Sequence, residues 1–143
     1  MLDLIISKYM TLCESKSIRF SVDVKTANLT YIEDSDLSTL MNNLLDNAVE
    51  AAEQSDKGFI QVHIFSKSNI HDGLVIKNSC FIPPETKNGE LKTTKRNKKM
   101  HGIGTKSIRK TLKKYDAVYG WKYDENLKVF ETDIAFPQKI NIY

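Results

Sequence analysis

The spacing of apolar residues divides the chain into helical and extended stretches. Apolar residues recur every three or four positions over 2–16, and again from a capping Asp36 to about Gln54, which predicts two amphipathic helices. Strict alternation of apolar and polar residues predicts strands at "IRFSVDV" and "FIQVHIFSK". Near the end, the pattern predicts a basic helix at "GIGTKSIRKTLKKY" and a hairpin made of "AVYGWKY" and "KVFETDIAFP".

The middle of the chain holds a turn signal and a long irregular stretch. Asp72–Gly73 predicts a hairpin turn ahead of a strand, "LVIKNS". From Cys80 to His101 the chain has two prolines, many lysines and almost no apolar residues, which predicts a loop of roughly 20 residues. A loop of that length in a small domain is usually functional or mobile.

The predicted order of elements is helix, strand, helix, strand, strand, loop, helix, strand, strand. Such elements pack naturally with the helices on one face of a mixed, mainly antiparallel sheet. The predicted fold class is therefore α+β, a two-layer sandwich. The 143 residues are enough for one core, and we expect a single domain over 1–143.

Composition narrows the class of protein. A hydrophobic content of 41%, a charged content of 27% and a net charge of +3 are typical of a soluble globular domain. Cys13 and Cys80 lack metal-ligand spacing, and a reducing compartment fits them. No stretch has the length of a membrane span, and the N-terminal segment has too short an apolar core for a signal peptide.

The stretch "NNLLDNAVEAA", 42–52, places polar residues in a helix that should be buried. Asn43 and Asn47 are four positions apart and so share one helix face. An amide oxygen on that face can ligate Mg²⁺, which takes few protein ligands and completes its shell with water and phosphate. The alternative, that both amides cap neighbouring backbone groups, fits the spacing equally well.

The stretch "HGIG" directly precedes the predicted basic helix. Gly102 and Gly104 permit close backbone approach, and the N–H groups at a helix N-terminus suit phosphate. A plain turn explains the same two glycines. A Walker loop is excluded because no "GK[ST]" follows, and the third glycine of the Rossmann fingerprint is missing.

Taken together and in order, these motifs resemble the ATP-binding domain shared by gyrase, Hsp90, histidine kinases and MutL, the GHKL or Bergerat-fold superfamily. More narrowly, the chain resembles the catalytic domain of Agr-type, peptide-sensing histidine kinases. The resemblance rests on "DLSTLMNNLLDNAVEA", "LVIKNS", "TTKRNKKMHGIGTKSIRKTLKKY" and "FETDIAFP", which together cover nearly the whole chain.

The resemblance implies a catalytic pair in the second helix. Asn47 would be the Mg²⁺ ligand, and Asn43, one turn earlier, would lie close to the phosphates or the metal. In the ATPase branch of the superfamily a glutamate at the position of Asn43 activates water. Asparagine cannot act as a general base, so the resemblance implies phosphoryl transfer rather than hydrolysis.

The resemblance also implies the rest of the ATP site. Asn78, in "IKNSCFIPP", takes the position of the adenine-binding aspartate of orthodox histidine kinases, whose "DxGxG" motif is missing here. The ATP lid would cover approximately 80–101, with Lys95 contacting polyphosphate and the N–H groups after the glycines holding phosphate. The implied ATP-binding residues are Asn43, Asn47, Asn78, Lys95, His101, Gly102, Ile103, Gly104 and Thr105.

The implied function is the ATP-binding catalytic domain of a two-component sensor histidine kinase, with ATP and Mg²⁺ as cofactors. Its γ-phosphate acceptor would be a histidine on a separate dimerisation domain, because His63, His71 and His101 lack a phosphoacceptor context. The parent would be a membrane sensor with this domain in the cytoplasm and a response regulator as its partner. We expect the isolated domain to be a monomer that binds ATP, without autophosphorylation, nucleic-acid binding or direct membrane contact.

Three other functions stay open. The missing "DxGxG" leaves room for a non-catalytic or weakly active nucleotide-binding module. A serine kinase of the anti-sigma-factor type has the same fold, although that branch more often carries an acidic residue at position 43. The lysine-rich loop could also bind nucleic acid, but aromatic residues are not interleaved with its lysines.

Overall fold

A computed structural model describes residues 1–25, 29–67, 70–87, 90–91 and 98–137, with side chains described at all of these except 86–87, 90–91 and 98–105. Its elements follow the predicted order, with one short additional ladder in the long irregular stretch. They are α1 (Leu2–Ser15), β1 (Arg19–Lys25), α2 (Asp34–Glu53), β2 (Phe59–Lys67), β3 (His71–Ser79), β4 (Thr86–Lys87), β5 (Glu90–Leu91), α3 (Lys98–Lys114), β6 (Val118–Asp124) and β7 (Val129–Pro137).

Five of the strands form one mixed sheet in the order β1-β2-β3-β7-β6. β1 pairs with β2 in parallel, and the other three pairings are antiparallel. The α+β prediction and the mainly antiparallel sheet are confirmed. The two-residue strands β4 and β5 pair with each other. They interrupt the stretch that its prolines, lysines and scarcity of apolar residues predict as one long loop.

The hydrophobic core lies between one face of the sheet and the helices. On β2, Ile60, Val62 and Ile64 alternate with partly exposed residues, so every second side chain points into the core. α1 and α2 cover this face with their own apolar residues, including Tyr9 and Leu45, both 0% exposed. Burial of these apolar surfaces is the main force that holds the helices on the sheet.

The opposite face of the sheet carries charged residues. Glu131 lies between two lysines, with its carboxylate 3.6 Å from Lys77 Nζ and 3.1 Å from Lys122 Nζ. Asp133 lies two residues further along β7, beside Glu131. Burial raises the pKa of Asp133, and its hydrogen bond with Glu131 raises it further. The part of this face around Glu131 and Asp133 is therefore charged and does not continue the core.

The prediction of a turn at Asp72–Gly73 is wrong, because both residues lie inside β3. Gly73 pairs with Phe65 across the sheet, and a Cβ atom on Gly73 would come 2.4 Å from the Phe65 ring. Asp72 is 2% exposed and accepts a hydrogen bond of 2.8 Å from the Tyr31 hydroxyl. The glycine here makes space for an aromatic ring.

The prediction that Asp36 caps α2 is also wrong. The helix begins two residues earlier, at Asp34, with Glu33 as its N-cap. Asp36 lies in the first turn, where a carboxylate is favoured by the positive end of the helix dipole. Its side chain is therefore free of the capping role and binds another element, as described below.

The end of α2 lies very close to the start of β2. A Cβ atom on buried Gly58 would come 2.3 Å from the backbone oxygen of Ala52. Backbone at this distance cannot move aside as a flexible side chain can. Gly58 therefore sets the approach of α2 to the sheet.

We expect Gly58→Ala to destabilise the fold by about 1–3 kcal/mol, since overpacking against backbone forces the helix away from the sheet. Urea denaturation of the purified domain measures this change. Gly120→Ala is the matched control, because Gly120 has nothing within 4 Å of its would-be Cβ atom. Equal denaturation midpoints for the two variants would show that the contact between α2 and β2 is not close-packed.

Candidate nucleotide-binding site

Helix α2 presents three faces to three different environments. Its apolar face contributes Leu40, Met41, Leu44 and Leu45 to the core. A second face, with Asn42 and Asp46, lies against α1, where the Tyr9 hydroxyl donates to Asp46 at 2.6 Å and lies 3.0 Å from the side-chain oxygen of Asn42. A third face carries Asn43 and Asn47, the two residues that the sequence analysis predicts as candidate site residues.

Asn43 and Asn47 differ in their surroundings. Asn43 is half-buried, and its amide nitrogen donates a hydrogen bond of 2.8 Å to the carbonyl oxygen of Thr39, one turn back. This local bond is the capping contact that the alternative interpretation predicts for Asn43. It uses one of the two N–H groups of the amide, and the amide oxygen is the atom that can ligate a cation. Asn47 is exposed.

The donor set on this face fits a hard cation. An exposed amide oxygen is a suitable ligand for Mg²⁺ when water and phosphate supply most of the remaining ligands. The described part of the chain contains no group of three or more His, Cys, Asp or Glu side chains that could hold a metal ion. The amide oxygens of Asn43 and Asn47, one turn apart, are the groups on this face that could ligate such a cation.

Asn78 lies at the end of the core row of β3. It pairs with Ile60 on one side and Phe130 on the other, and it is 3% exposed. Its amide nitrogen donates to the carbonyl oxygen of Ser79 at 3.1 Å. A side-chain amide has both a hydrogen-bond acceptor and donors, so it can bind the polar edge of a nucleotide base.

The chain that follows Asn78 is fixed by the β6–β7 hairpin. The backbone N–H of Cys80 donates to the Lys128 carbonyl at 2.8 Å, and the Tyr123 hydroxyl donates to the Cys80 carbonyl at 2.8 Å. Phe81 and Ile82 continue outward and are 61% and 60% exposed. A tethered apolar segment thus follows Asn78.

The "HGIG" glycines are not where the pattern predicts them. α3 begins at Lys98, so Gly102 and Gly104 lie inside the helix rather than directly before it. Lysine and methionine are good helix formers, and the segment 98–100 extends the helix through the two glycines. The unpaired N–H groups of α3 are therefore those of its first four residues, and Ile103 and Thr105 come after them.

Some of the predicted site residues cannot be placed against the others. Lys95 lies outside the described residues, as do the side chains of His101, Ile103 and Thr105. Their contacts with ATP stay predictions. The described structure places Asn43 and Asn47 together on α2, and it places Asn78 at the end of the core row of β3.

The far end of α3 is fixed to the beginning of α2. Lys114 Nζ lies 2.8 Å from Asp36 and 3.3 Å from Glu33, and the Tyr115 hydroxyl donates to Asp36 at 2.6 Å. The same hydroxyl accepts a bond of 2.9 Å from the Glu33 N–H. Hydrogen bonds from Lys114 and Tyr115 lower the pKa of Asp36. Sequence reasoning missed this junction, because its partners lie almost eighty positions apart.

Comparison with known proteins identifies the family. The chain matches the GHKL domain family over residues 32–142, more than half of its length, and it belongs to that family. No curated protein sequence matches it. Within the part that the structure describes, no helix is long and apolar enough to cross a membrane.

Solved structures of histidine kinases share the fold. The mycobacterial sensor histidine kinase MprB superposes with a TM-score of 0.66 at 17% identity, with 95% of each chain covered. The catalytic domain of histidine kinase ThkA gives 0.66 at 19% identity over 95% of this chain and 92% of that one. The Erythrobacter litoralis blue-light activated histidine kinase EL346 gives 0.69 at 15% identity over 95% of this chain and 43% of that one.

We expect Asp36→Asn to lower the urea midpoint at neutral pH, because the ionised carboxylate accepts the bonds from Lys114 and Tyr115. The lowered pKa means that this stabilisation is present above the ordinary aspartate value of about 3.9 and is lost as the pH falls through the folded-state value. Denaturation of wild type and variant across this range measures the difference. Asp34→Asn, in the same helix turn, controls for the helix dipole. A difference that persists unchanged at acid pH would contradict the assignment.

Proposed function

We propose that this domain binds Mg·ATP and hands the γ-phosphate to a histidine on a separate dimerisation domain, as the catalytic domain of a sensor histidine kinase. The observation that carries the proposal is the face of α2 with Asn43 and Asn47, set within the GHKL fold. ATP is the nucleotide that this family implies. The narrower Agr-type assignment rests on the sequence motifs alone.

Asn47 would ligate Mg²⁺, and Asn43 would lie beside the phosphates. Bound Mg²⁺ neutralises the charge that the transferring phosphoryl group carries. Asn43 contributes no general base, since an amide takes up no proton at physiological pH. The domain would therefore accelerate transfer by positioning ATP for an incoming imidazole, and water would gain little activation.

Asn78 would contact the adenine amino group through its amide oxygen. An amide replaces the carboxylate of orthodox histidine kinases, so the charge-assisted bond is lost and nucleotide affinity should be lower. The tethered segment after Asn78 would form the wall of the adenine site on that side.

The "HGIG" segment would hold phosphate only in a changed helix. Its N–H groups are engaged in helical bonds while α3 begins at Lys98. For Ile103 and Thr105 to donate to phosphate, the first turns of α3 must unwind so that the helix begins near Gly104. Two glycines in those turns keep the cost of unwinding low, because each destabilises the helix by about 1 kcal/mol relative to alanine.

The partners follow from the reaction. The phosphoacceptor histidine, a dimerisation domain that carries it and a response regulator would all lie outside this domain. The parent protein would be a membrane sensor with this domain in the cytoplasm. A second candidate, a nucleotide-binding module without transfer activity, is favoured by the missing glycine-rich motif after Asn78.

We expect Asn47→Ala to weaken Mg·ATP binding by about tenfold or more, the usual effect of perturbing a metal site, while leaving ATP binding in EDTA unchanged. Titration calorimetry with and without Mg²⁺ measures both. Gln54→Ala is the control, because it removes an exposed amide just past the end of the same helix.

Three outcomes separate the proposals. If the wild-type domain binds no nucleotide at millimolar concentration, the ATP-binding function is wrong. If Asn47→Ala binds Mg·ATP as well as the wild type does, only the metal assignment is wrong. If the domain binds ATP but forms no phosphohistidine on the dimerisation domain of its parent, the binding-module alternative is correct.

We expect Gly104→Ala to stabilise α3 and to weaken ATP binding about fivefold, because alanine opposes the unwinding that phosphate binding requires by about 1 kcal/mol. Thermal melting and calorimetry give the two changes. Lys106→Ala, an exposed position two residues on in the same helix, controls for helix stability in general. If Gly104→Ala is more stable and binds ATP as well as the wild type does, the start of α3 does not unwind when ATP binds, and this part of the proposal is wrong.

A further inference from the structure

The side chain of Tyr9 connects α1 to the second face of α2. It is 0% exposed, and its hydroxyl oxygen lies 2.6 Å from an Asp46 carboxylate oxygen and 3.0 Å from the side-chain oxygen of Asn42. The backbone oxygen of Asn42 lies 3.2 Å away. Three acceptors on two successive turns of α2 thus surround one hydroxyl.

The hydroxyl has one proton, and the shortest contact identifies where it goes. A distance of 2.6 Å to a carboxylate is typical of a charge-assisted bond, so Tyr9 donates to Asp46. Burial raises the pKa of Tyr9, and the hydrogen bond to Asp46 raises it further. The hydroxyl therefore stays protonated at neutral pH and is available as the donor.

Asn42 is held from two further directions. Lys8 Nζ donates to its side-chain oxygen at 3.2 Å, and its amide nitrogen donates to Ser38 Oγ at 3.0 Å. The α1–α2 network, which we define as Lys8, Tyr9, Ser38, Asn42 and Asp46, therefore fixes two turns of α2 against α1.

The members of this network are the immediate neighbours of the candidate metal-site residues. Asn42 precedes Asn43, and Asp46 precedes Asn47. Successive helix residues are about 100° apart around the axis, so holding one residue fixes the direction of the next. On another side of α2, the buried side chains of Leu44 and Leu45 fix the helix against the core.

We infer that Tyr9 is a positioning residue for the Mg²⁺–phosphate site, which it reaches through Asp46 and the rotation of α2. The inference rests on the proposed function, since it presumes that Asn47 ligates the metal. Tyr9 touches neither nucleotide nor metal. Its hydroxyl fixes the direction in which Asn43 and Asn47 face.

The test compares two Tyr→Phe variants that each remove one hydroxyl bound to a carboxylate. Tyr9→Phe removes the 2.6 Å bond to Asp46, and Tyr31→Phe removes the 2.8 Å bond to buried Asp72. Both keep the aromatic ring. Asp72 lies in β3, so the control variant loses a similar bond without touching α2.

The measured quantity is the Mg²⁺ factor, defined as the ATP affinity with Mg²⁺ divided by the ATP affinity in EDTA. Calorimetry gives both affinities at a temperature where every variant is folded. We expect Tyr9→Phe to reduce this factor roughly tenfold, as for other residues that orient a metal ligand, and Tyr31→Phe to change it less than about twofold. A role in stability alone would lower the melting temperature of Tyr9→Phe without changing this factor.

Combining Tyr9→Phe with Asn47→Ala tests the route of the effect. If Tyr9 acts through Asn47, it has nothing left to position in the Asn47→Ala background, and the Mg²⁺ factor should not fall further. If the two substitutions reduce the Mg²⁺ factor independently, so that their reductions multiply in the double variant, the inference is wrong. It is also wrong if the Mg²⁺ factor is unchanged in Tyr9→Phe when the wild type binds Mg·ATP normally.

A second measurement needs no nucleotide. In the free domain, the side-chain amide NMR signals of Asn43 and Asn47 should shift in Tyr9→Phe and stay in place in Tyr31→Phe. Failure of the wild type to bind Mg·ATP would remove the proposed function but leave this comparison intact. Unshifted amide signals in Tyr9→Phe would show that the hydroxyl does not orient these side chains.

Discussion

The packing of α2 against the sheet is the constraint on which the candidate site depends. Leu40, Met41 and Leu45 are 0% exposed, and the last turn of the helix lies against buried Gly58 with no room for a side chain between them. A helix is a rigid rod with a fixed angular spacing, so burial of one face determines where all the others point. The core therefore sets the approximate direction of Asn43 and Asn47, and the hydrogen bonds that α2 makes with its neighbours fix that direction more closely.

Tyrosine hydroxyls bound to carboxylates fix the elements around this helix. Tyr9 binds Asp46 from α1, and Tyr115 binds Asp36 from the end of α3, each at 2.6 Å. Tyr31 binds Asp72 in the same way and fixes the segment that precedes α2 to β3. These bonds join residues 37, 79 and 41 positions apart, and an ionised acceptor makes each stronger than a neutral pair. The bonds of Tyr9 and Tyr115 end on α2 itself and are directional, so these two specify the rotation of α2 more tightly than apolar packing alone.

The sequence predicts the features that depend on local periodicity and misses those that depend on distant contacts. Alternation located β2, β6 and β7, and the spacing of apolar residues located α1 and α2. The predicted turn at Asp72–Gly73 is wrong because Gly73 serves another purpose. The Phe65 ring on the neighbouring strand leaves no space for a side chain at this position. The prediction that Asp36 caps α2 is wrong for the same kind of reason. Its side chain binds Lys114 and Tyr115, which are distant in sequence. For the candidate site, the shared face of Asn43 and Asn47 follows from helix geometry, whereas the role of Tyr9 depends on a contact across 37 residues that no local pattern reveals.

A phosphoryl-transfer site without a general base has to gain its rate from position and charge neutralisation. Asn43 takes no proton, so an error of an ångström in the placement of the metal and phosphates would not be offset by chemistry elsewhere in this domain. Rigid support of α2 therefore has a functional reason besides stability. The core, the α1–α2 network and the junction with α3 hold this helix from three sides. The start of α3 has two glycines inside the helix and would by contrast be less costly to rearrange than α2. In the proposed function, α2 would therefore supply a fixed metal-binding face, and the beginning of α3 would adapt to the phosphates.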